Sequence, residues 1–190
     1  MRPVLDCLQT NYCAYNAEFP NDCLYWYNER ANVGAFASAI WKAGGLALEE
    51  YSSKKADDET EWQGRADLFF RFDKKDVLSE AKILWLKCPV TSKRDFLVQI
   101  NRKLEFACSD TIKSLNGSKY FGLGLLFVVP YWHVGYDATK DIEMIDTGIN
   151  GIDSGFIMMF SHDSKNIVSL KKNVCNYVYV IGKFVHNCHR

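Results

Sequence analysis

The run Gly64-Arg65-Ala66-Asp67-Leu68-Phe69-Phe70, followed after a short polar stretch by Val77-Leu78-Ser79-Glu80-Ala81-Lys82-Ile83, constrains the fold more than any other part of the chain. The first run alternates and ends in aromatics, and the second is apolar around its charges. Asp73-Lys74-Lys75-Asp76 between them is turn material, so the pair is predicted to form a β-hairpin. With those four residues left unpaired, Phe72 faces Val77, and Asp67 lies opposite Lys82, one step along from Glu80. Strand side chains alternate with period two, so Asp67, Glu80 and Lys82 then share one face of the sheet. A slip of one residue would scatter them.

Helical spacing appears upstream, where Val33, Phe36, Ala37, Ile40 and Trp41 fall on one stripe of a helix expected from about Asp22 to Lys42, with Gly44-Gly45 as a stop. Extending the stripe back by four residues reaches Glu29. An inward glutamate is costly unless paired, hydrogen-bonded or bound to metal, whereas in an exposed first turn it complements the helix dipole. Leu46 to Ser52 reads as the first core strand, with Leu46, Leu48 and Glu50 on one face and Ala47, Glu49 and Tyr51 on the other. Glu50 is thereby able to approach the hairpin and Glu49 is not. The charged stretch Lys54 to Glu61 reads as a mobile loop.

Downstream of the hairpin, Phe96, Ile100, Leu104 and Ala107 give the buried stripe of a helix from about Asp95 to Leu115. Tyr120 to Val129 is nearly all apolar and reads as a strand buried on both faces. A short helix from Ala138 to Ile145 and strands at Phe156 to Phe160 and Tyr177 to Val185 follow. The expected fold is an α/β domain, a mixed central sheet flanked by helices, spanning residues 1–190 as one unit.

At 190 residues and 48% hydrophobic, the chain can bury a sizeable core. Acidic and basic residues balance at 23 each, so any nucleic-acid partner must be met by a local patch. Seven unevenly spaced cysteines suit reduced thiols better than a disulfide framework. Cys7, Cys13, Cys23, Cys188, His186 and His189 match no familiar zinc module, and incidental cysteines are the favoured reading. The opening Met1-Arg2-Pro3-Val4-Leu5-Asp6 lacks an apolar run before its first acid, so a cytoplasmic protein without a secretory leader is expected. No stretch is long and apolar enough to predict a membrane span.

Asp67 and Glu80 supply the hard oxygen ligands that Mg²⁺ prefers, and the Ala81 carbonyl offers a third; Glu29 and Glu50 are further candidates. Such an ion activates water and offsets charge on a scissile phosphate, and Lys82 is suited to orient that water or stabilise the developing charge. Asp67, Glu80 and Lys82, as D-x(12)-E-x-K on consecutive strands, resemble the signature of the PD-(D/E)XK, or restriction-endonuclease-like, nuclease superfamily. Ala66 stands where proline often precedes the aspartate. The resemblance covers about residues 22–130 and implies a restriction-endonuclease-like core with a C-terminal extension.

It further implies a Mg²⁺-dependent nuclease, with Mn²⁺ as a substitute, that hydrolyses phosphodiester bonds, most readily as a DNA endonuclease. Asp67, Glu80 and Lys82 are then the catalytic set and Glu29 an accessory acid on the preceding helix. Gln99 takes the place of a glutamine found in RecB-like members, although Lys103 stands where their tyrosine would be. Arg102 and Lys103, with Lys93 and Arg94, are candidates for substrate phosphates. Tyr25, Trp26 and Tyr27, and Tyr131 with Trp132, are candidates for base stacking, although core packing is the commoner meaning. A homodimer or a larger partner subunit would supply targeting that the chain itself lacks. The alternative function is a non-catalytic nuclease-like subunit that binds nucleic acid or protein. A third reading makes Asp67 and Lys82 an ordinary cross-strand ion pair.

Overall fold

The structure, a computed structural model, describes residues 1–57, 59–162 and 172–186. Its elements run α1 (Arg2–Glu18), a 3-10 turn (Leu24–Trp26), α2 (Glu29–Lys42), β1 (Leu46–Ala56), β2 (Glu61–Phe72), β3 (Lys75–Lys87) and α3 (Lys93–Leu115). β4 (Phe121–His133), α4 (Thr139–Ile149), β5 (Phe156–Ser161), β6 (Asn173–Val174) and β7 (Tyr177–Val185) complete it. The strands form one open seven-stranded sheet in the order β1-β2-β3-β4-β7-β5, with β6 against β4. Among the described residues only β3 and β4 pair in parallel, because α3 crosses between them. The expected mixed α/β sheet flanked by helices is present.

One face of the sheet is covered by α1 and α2. There Val4, Leu8, Tyr12, Phe36 and Ile40 pack on Leu68, Phe70, Val77, Leu125 and Phe127. The other face carries α3 and α4, with Phe96, Ile100, Leu104, Ile142 and Ile145 against Leu126, Val128 and Ile181. β4 is buried on both faces from Gly122 to Pro130, as an all-apolar central strand must be. Gly124 lets α3 approach the sheet closely: a Cβ there would lie 2.9 Å from the Cys108 backbone nitrogen. That contact sets how near the polar end of α3 comes to β3.

The structure departs from the sequence reading at several places. The N-terminal helix α1 was not anticipated, although Val4, Leu5, Leu8 and Tyr12 form a buried stripe. Trp41, expected inside, is 53% exposed, because α2 presents Val33, Phe36, Ala37 and Ile40 to the sheet and turns Trp41 past its edge. β1 continues through Ala56 and β2 starts at Glu61, so Lys54, Lys55 and Ala56 are paired strand and not loop. Asp58 lies outside the described residues.

The hairpin turn is also tighter than four residues. Asp73 and Lys74 both take positive φ (50° and 60°), the geometry of a two-residue hairpin turn, and Phe72 faces Lys75. The register therefore differs by two from the expected one, with Phe70 opposite Val77. An even shift keeps the paired residues on their original faces, and Glu80 and Lys82 both turn toward α3; at Asp67 the alternation of β2 resets, since Ala66 belongs to the cluster with Leu115 and Leu68 to the one with Phe36.

Candidate active site

The β2–β3 ladder runs from Phe72↔Lys75 to Leu68↔Ser79 and stops there. At the next position a side chain replaces a backbone partner: the Ala81 N–H donates to Asp67 Oδ2 at 2.7 Å. In an antiparallel pair the N–H and C=O of one residue point to the same edge, so the Ala81 carbonyl is directed to the same gap. On the other side of Asp67, β1 is distorted as well. Glu50 has φ 53° between the pairs Glu49↔Leu68 and Tyr51↔Ala66, a left-handed backbone that costs a non-glycine residue about 1–2 kcal/mol.

The distortion resets the alternation of β1. Ala47 packs with α1 and α2, but Tyr51 stacks on Phe69 (centroids 5.1 Å apart) in a cluster on the opposite face. The expectation that Glu49 and Glu50 point to opposite faces is thereby corrected. Both line a cleft of about 430 Å³ at the N-terminus of α2, together with Glu29, Arg30, Arg65 and Asp67. Glu50 accepts from Arg30 at 2.7 Å and from Arg65 at 3.4 Å, so it is engaged by two guanidinium groups at the rim.

Glu29 is the first residue of α2, after Asn28, whose side chain caps the helix by accepting from the Ala31 N–H. It sits in the first turn, as one expectation had it, but is half-buried and lines the cleft with Asp67. Burial raises its carboxyl above the usual range and the Asp67 charge adds to this; Lys82, the Ile83 N–H and Lys103 act in the opposite direction.

Glu80 is 3% exposed and points toward α3. Its Oε1 accepts from Lys55 Nζ at 2.7 Å and from Ser114 Oγ at 2.5 Å, and its N–H donates to Thr111 Oγ1 at 3.2 Å. Burial pushes its carboxyl up to about 7, helped by Asp67 and opposed by Lys55 and Ser114. Lys82 Nζ lies 3.1 Å from Asp110 Oδ2. Burial disfavours its charge, but Asp110 and Glu29 outweigh that and hold the ammonium above its ordinary range.

Asp67 thus stands electrostatically between Glu29, Glu80 and Lys82, since its charge acts on all three. Among the described residues no three His, Cys, Asp or Glu side chains converge closely enough to enclose a metal ion. Cys188 and His189 lie outside the described residues. The candidate ligands Asp67, Glu80 and the Ala81 carbonyl are all hard oxygens, the kind Mg²⁺ prefers, and Mg²⁺ takes one or two carboxylates and keeps several waters.

Of the remaining candidates, Lys103 is half-buried and its charge reaches Glu29. Gln99 is exposed and donates to Asp95 O in its own helix, and Arg102 lies over the Phe106 ring at 5.4 Å. Tyr25 and Trp132 are buried in the core, and Trp26 packs edge-on against Tyr131. Tyr27 is exposed, with its hydroxyl on Asp22.

Sequence reasoning missed Lys55, Asp110, Thr111 and Ser114. For the helical residues a signal existed: Thr111 and Ser114 continue the stripe of Phe96, Ile100, Leu104 and Ala107 as buried polar groups, which require partners. Lys55 carried no such signal, because only the unexpected length of β1 brings it to Glu80.

Comparison with protein-family models, curated proteins and solved structures finds no match for this chain.

Proposed function

We propose that this chain is a metal-dependent nuclease with a restriction-endonuclease-like core, hydrolysing phosphodiester bonds in DNA. The observation that carries the reading is the end of the β2–β3 ladder, where Asp67 replaces a backbone partner beside Glu80, Ala81 and Lys82. Asp67, Glu80 and the Ala81 carbonyl would hold Mg²⁺ or Mn²⁺, with Glu29 as an accessory acid. When bound, the ion supplies a lowered pKa for coordinated water and offsets charge on the phosphate.

The chain's own residues supply the rest. Lys82, kept cationic by Asp110 and Glu29, provides positive charge next to the reacting phosphate. Asp67 and Glu80 crowd negative charge in a low-dielectric setting, which a divalent cation relieves. Arg30 and Arg65 at the cleft rim, and Lys103 on α3, are suited to contact the DNA backbone.

A second reading is favoured by the pairing of Glu80 with Lys55 and of Lys82 with Asp110, which leaves the charges satisfied without a metal, as a binding-only subunit would have them. Supercoiled-plasmid cleavage by wild type and Lys82→Ala, in Mg²⁺, in Mn²⁺ and in EDTA, separates the two. The nuclease reading expects metal-dependent nicking that falls at least about 100-fold in the variant, equivalent to about 2.7 kcal/mol of barrier. Retention of DNA equally in EDTA, with no cutting, supports the binding subunit. Full cleavage by Lys82→Ala would remove Lys82 from the mechanism.

A further inference from the structure

We propose that Lys55 and Ser114 are positioning residues that fix the Glu80 carboxylate for a divalent cation, an inference that rests on the nuclease reading above. Two donors from elements far apart in sequence meet on a single oxygen. Lys55 Nζ, from the distal part of β1, and Ser114 Oγ, from the last turn of α3, reach Glu80 Oε1 at 2.7 and 2.5 Å. Neither of these hydrogen bonds falls on Oε2, so the carboxylate is clamped through one oxygen and can offer the other to a new ligand.

The main chain at the same residue is tied separately. The Glu80 N–H donates to Thr111 Oγ1 at 3.2 Å, and the Thr111 hydroxyl donates to Ala107 O at 2.8 Å within α3. Backbone and side chain of Glu80 are therefore both referenced to α3, and Lys55 closes the arrangement from β1.

An ordinary structural ion pair would not need this construction. Paired buried charges contribute little to stability compared with apolar residues of similar volume, so three polar groups converging on one glutamate point to a requirement on its orientation. The side chains of Lys55 and Glu80 expose only 16% and 4% of their surface, so solvent cannot replace either donor without moving β1 or α3. Groups that hydrogen-bond a metal-ligating carboxylate set its direction, and their loss costs about 10–100-fold in metal affinity.

Isothermal titration of the full chain with Mn²⁺ alone tests this without reference to cleavage. Ser114→Ala and Lys55→Met are expected to bind Mn²⁺ about 10–100-fold more weakly than wild type, and Lys55→Arg, which keeps a cationic donor, to recover most of the loss. In the cleavage assay the same two variants are expected to lose kcat with KM for DNA little changed. Circular dichroism checks each fold; should Lys55→Met fail to fold, Ser114→Ala, which removes one hydroxyl, decides alone. Unchanged Mn²⁺ affinity in Ser114→Ala overturns the positioning role, and tighter binding in Lys55→Met shows that Lys55 competes with the cation and overturns it as well. If the wild-type chain itself binds no Mn²⁺, the nuclease reading fails and this proposal falls with it.

Discussion

The two edges of β3 are built differently. Along its β4 edge the parallel ladder is unbroken from Val77↔Phe121 to Lys87↔Tyr131, and the partner strand is apolar and buried on both faces. Along its β2 edge the ladder runs only from Phe72↔Lys75 to Leu68↔Ser79, and then the Asp67 side chain stands in for the missing partner. One strand thus carries an edge paired by backbone and an edge where the Ala81 and Ile83 N–H groups meet the carboxylates of Asp67 and Glu29. The difference teaches that ending a ladder early lets backbone groups that a sheet would pair hold side chains instead, while the opposite edge keeps the strand in place.

That contrast can be broken most severely at the structural edge. Phe127 in β4 is fully buried between the sheet and α2, and Phe127→Ala is expected to cost about 3–5 kcal/mol in urea unfolding, with any cleavage lost only in step with the fold. At the other edge, Asp67→Ala strands the Ala81 N–H and is expected to cost about 1–3 kcal/mol, a smaller loss than at Phe127. A larger loss in Asp67→Ala than in Phe127→Ala, measured by the same unfolding curves, would show that the division of labour is misassigned.

The smallest expected effect is a pH slope. Burial pushes the Glu80 carboxyl up to about 7 in the folded chain, whereas the unfolded chain releases that proton near the ordinary glutamate value of 4.5. The folded state binds the extra proton between those values, so this contribution is full below pH 4.5 and is lost as pH rises through about 7. Metal-free wild type is therefore expected to lose stability over that window by at most about 1.4 kcal/mol per pH unit, and Glu80→Gln to lose that part of the slope. Parallel stability profiles for the two proteins, from thermal melts between pH 4 and 8, would exclude Glu80 as the group responsible.

Much of the architecture was legible because burial writes periodicity into sequence. The all-apolar β4, the stripe of α3 and the C-terminal strands β5 and β7 all appear close to where their patterns put them. The helix α1 is equally written in the buried stripe of Val4, Leu5, Leu8 and Tyr12. The hairpin itself was legible, but its turn was not: Asp73-Lys74 lacks the glycine that usually marks positive φ, so a longer turn was the natural expectation.

The candidate site divides the same way. The sequence by itself placed Asp67, Glu80 and Lys82 on one hairpin and, by alternation, Glu80 and Lys82 on one face, which a two-residue shift of register preserves; the Asp67 carboxylate instead enters the break in the ladder. Only the tertiary structure decided which charges meet. The left-handed turn of Glu50 brings Glu49 and Glu50 to one cleft, the extended β1 carries Lys55 to Glu80, and α3, seated closely over Gly124, brings Asp110 to Lys82 and Ser114 to Glu80. The physical reason is that periodicity is a property of one element, whereas a hydrogen bond or ion pair between elements depends on where strands end and how closely helices pack, and no local pattern records either.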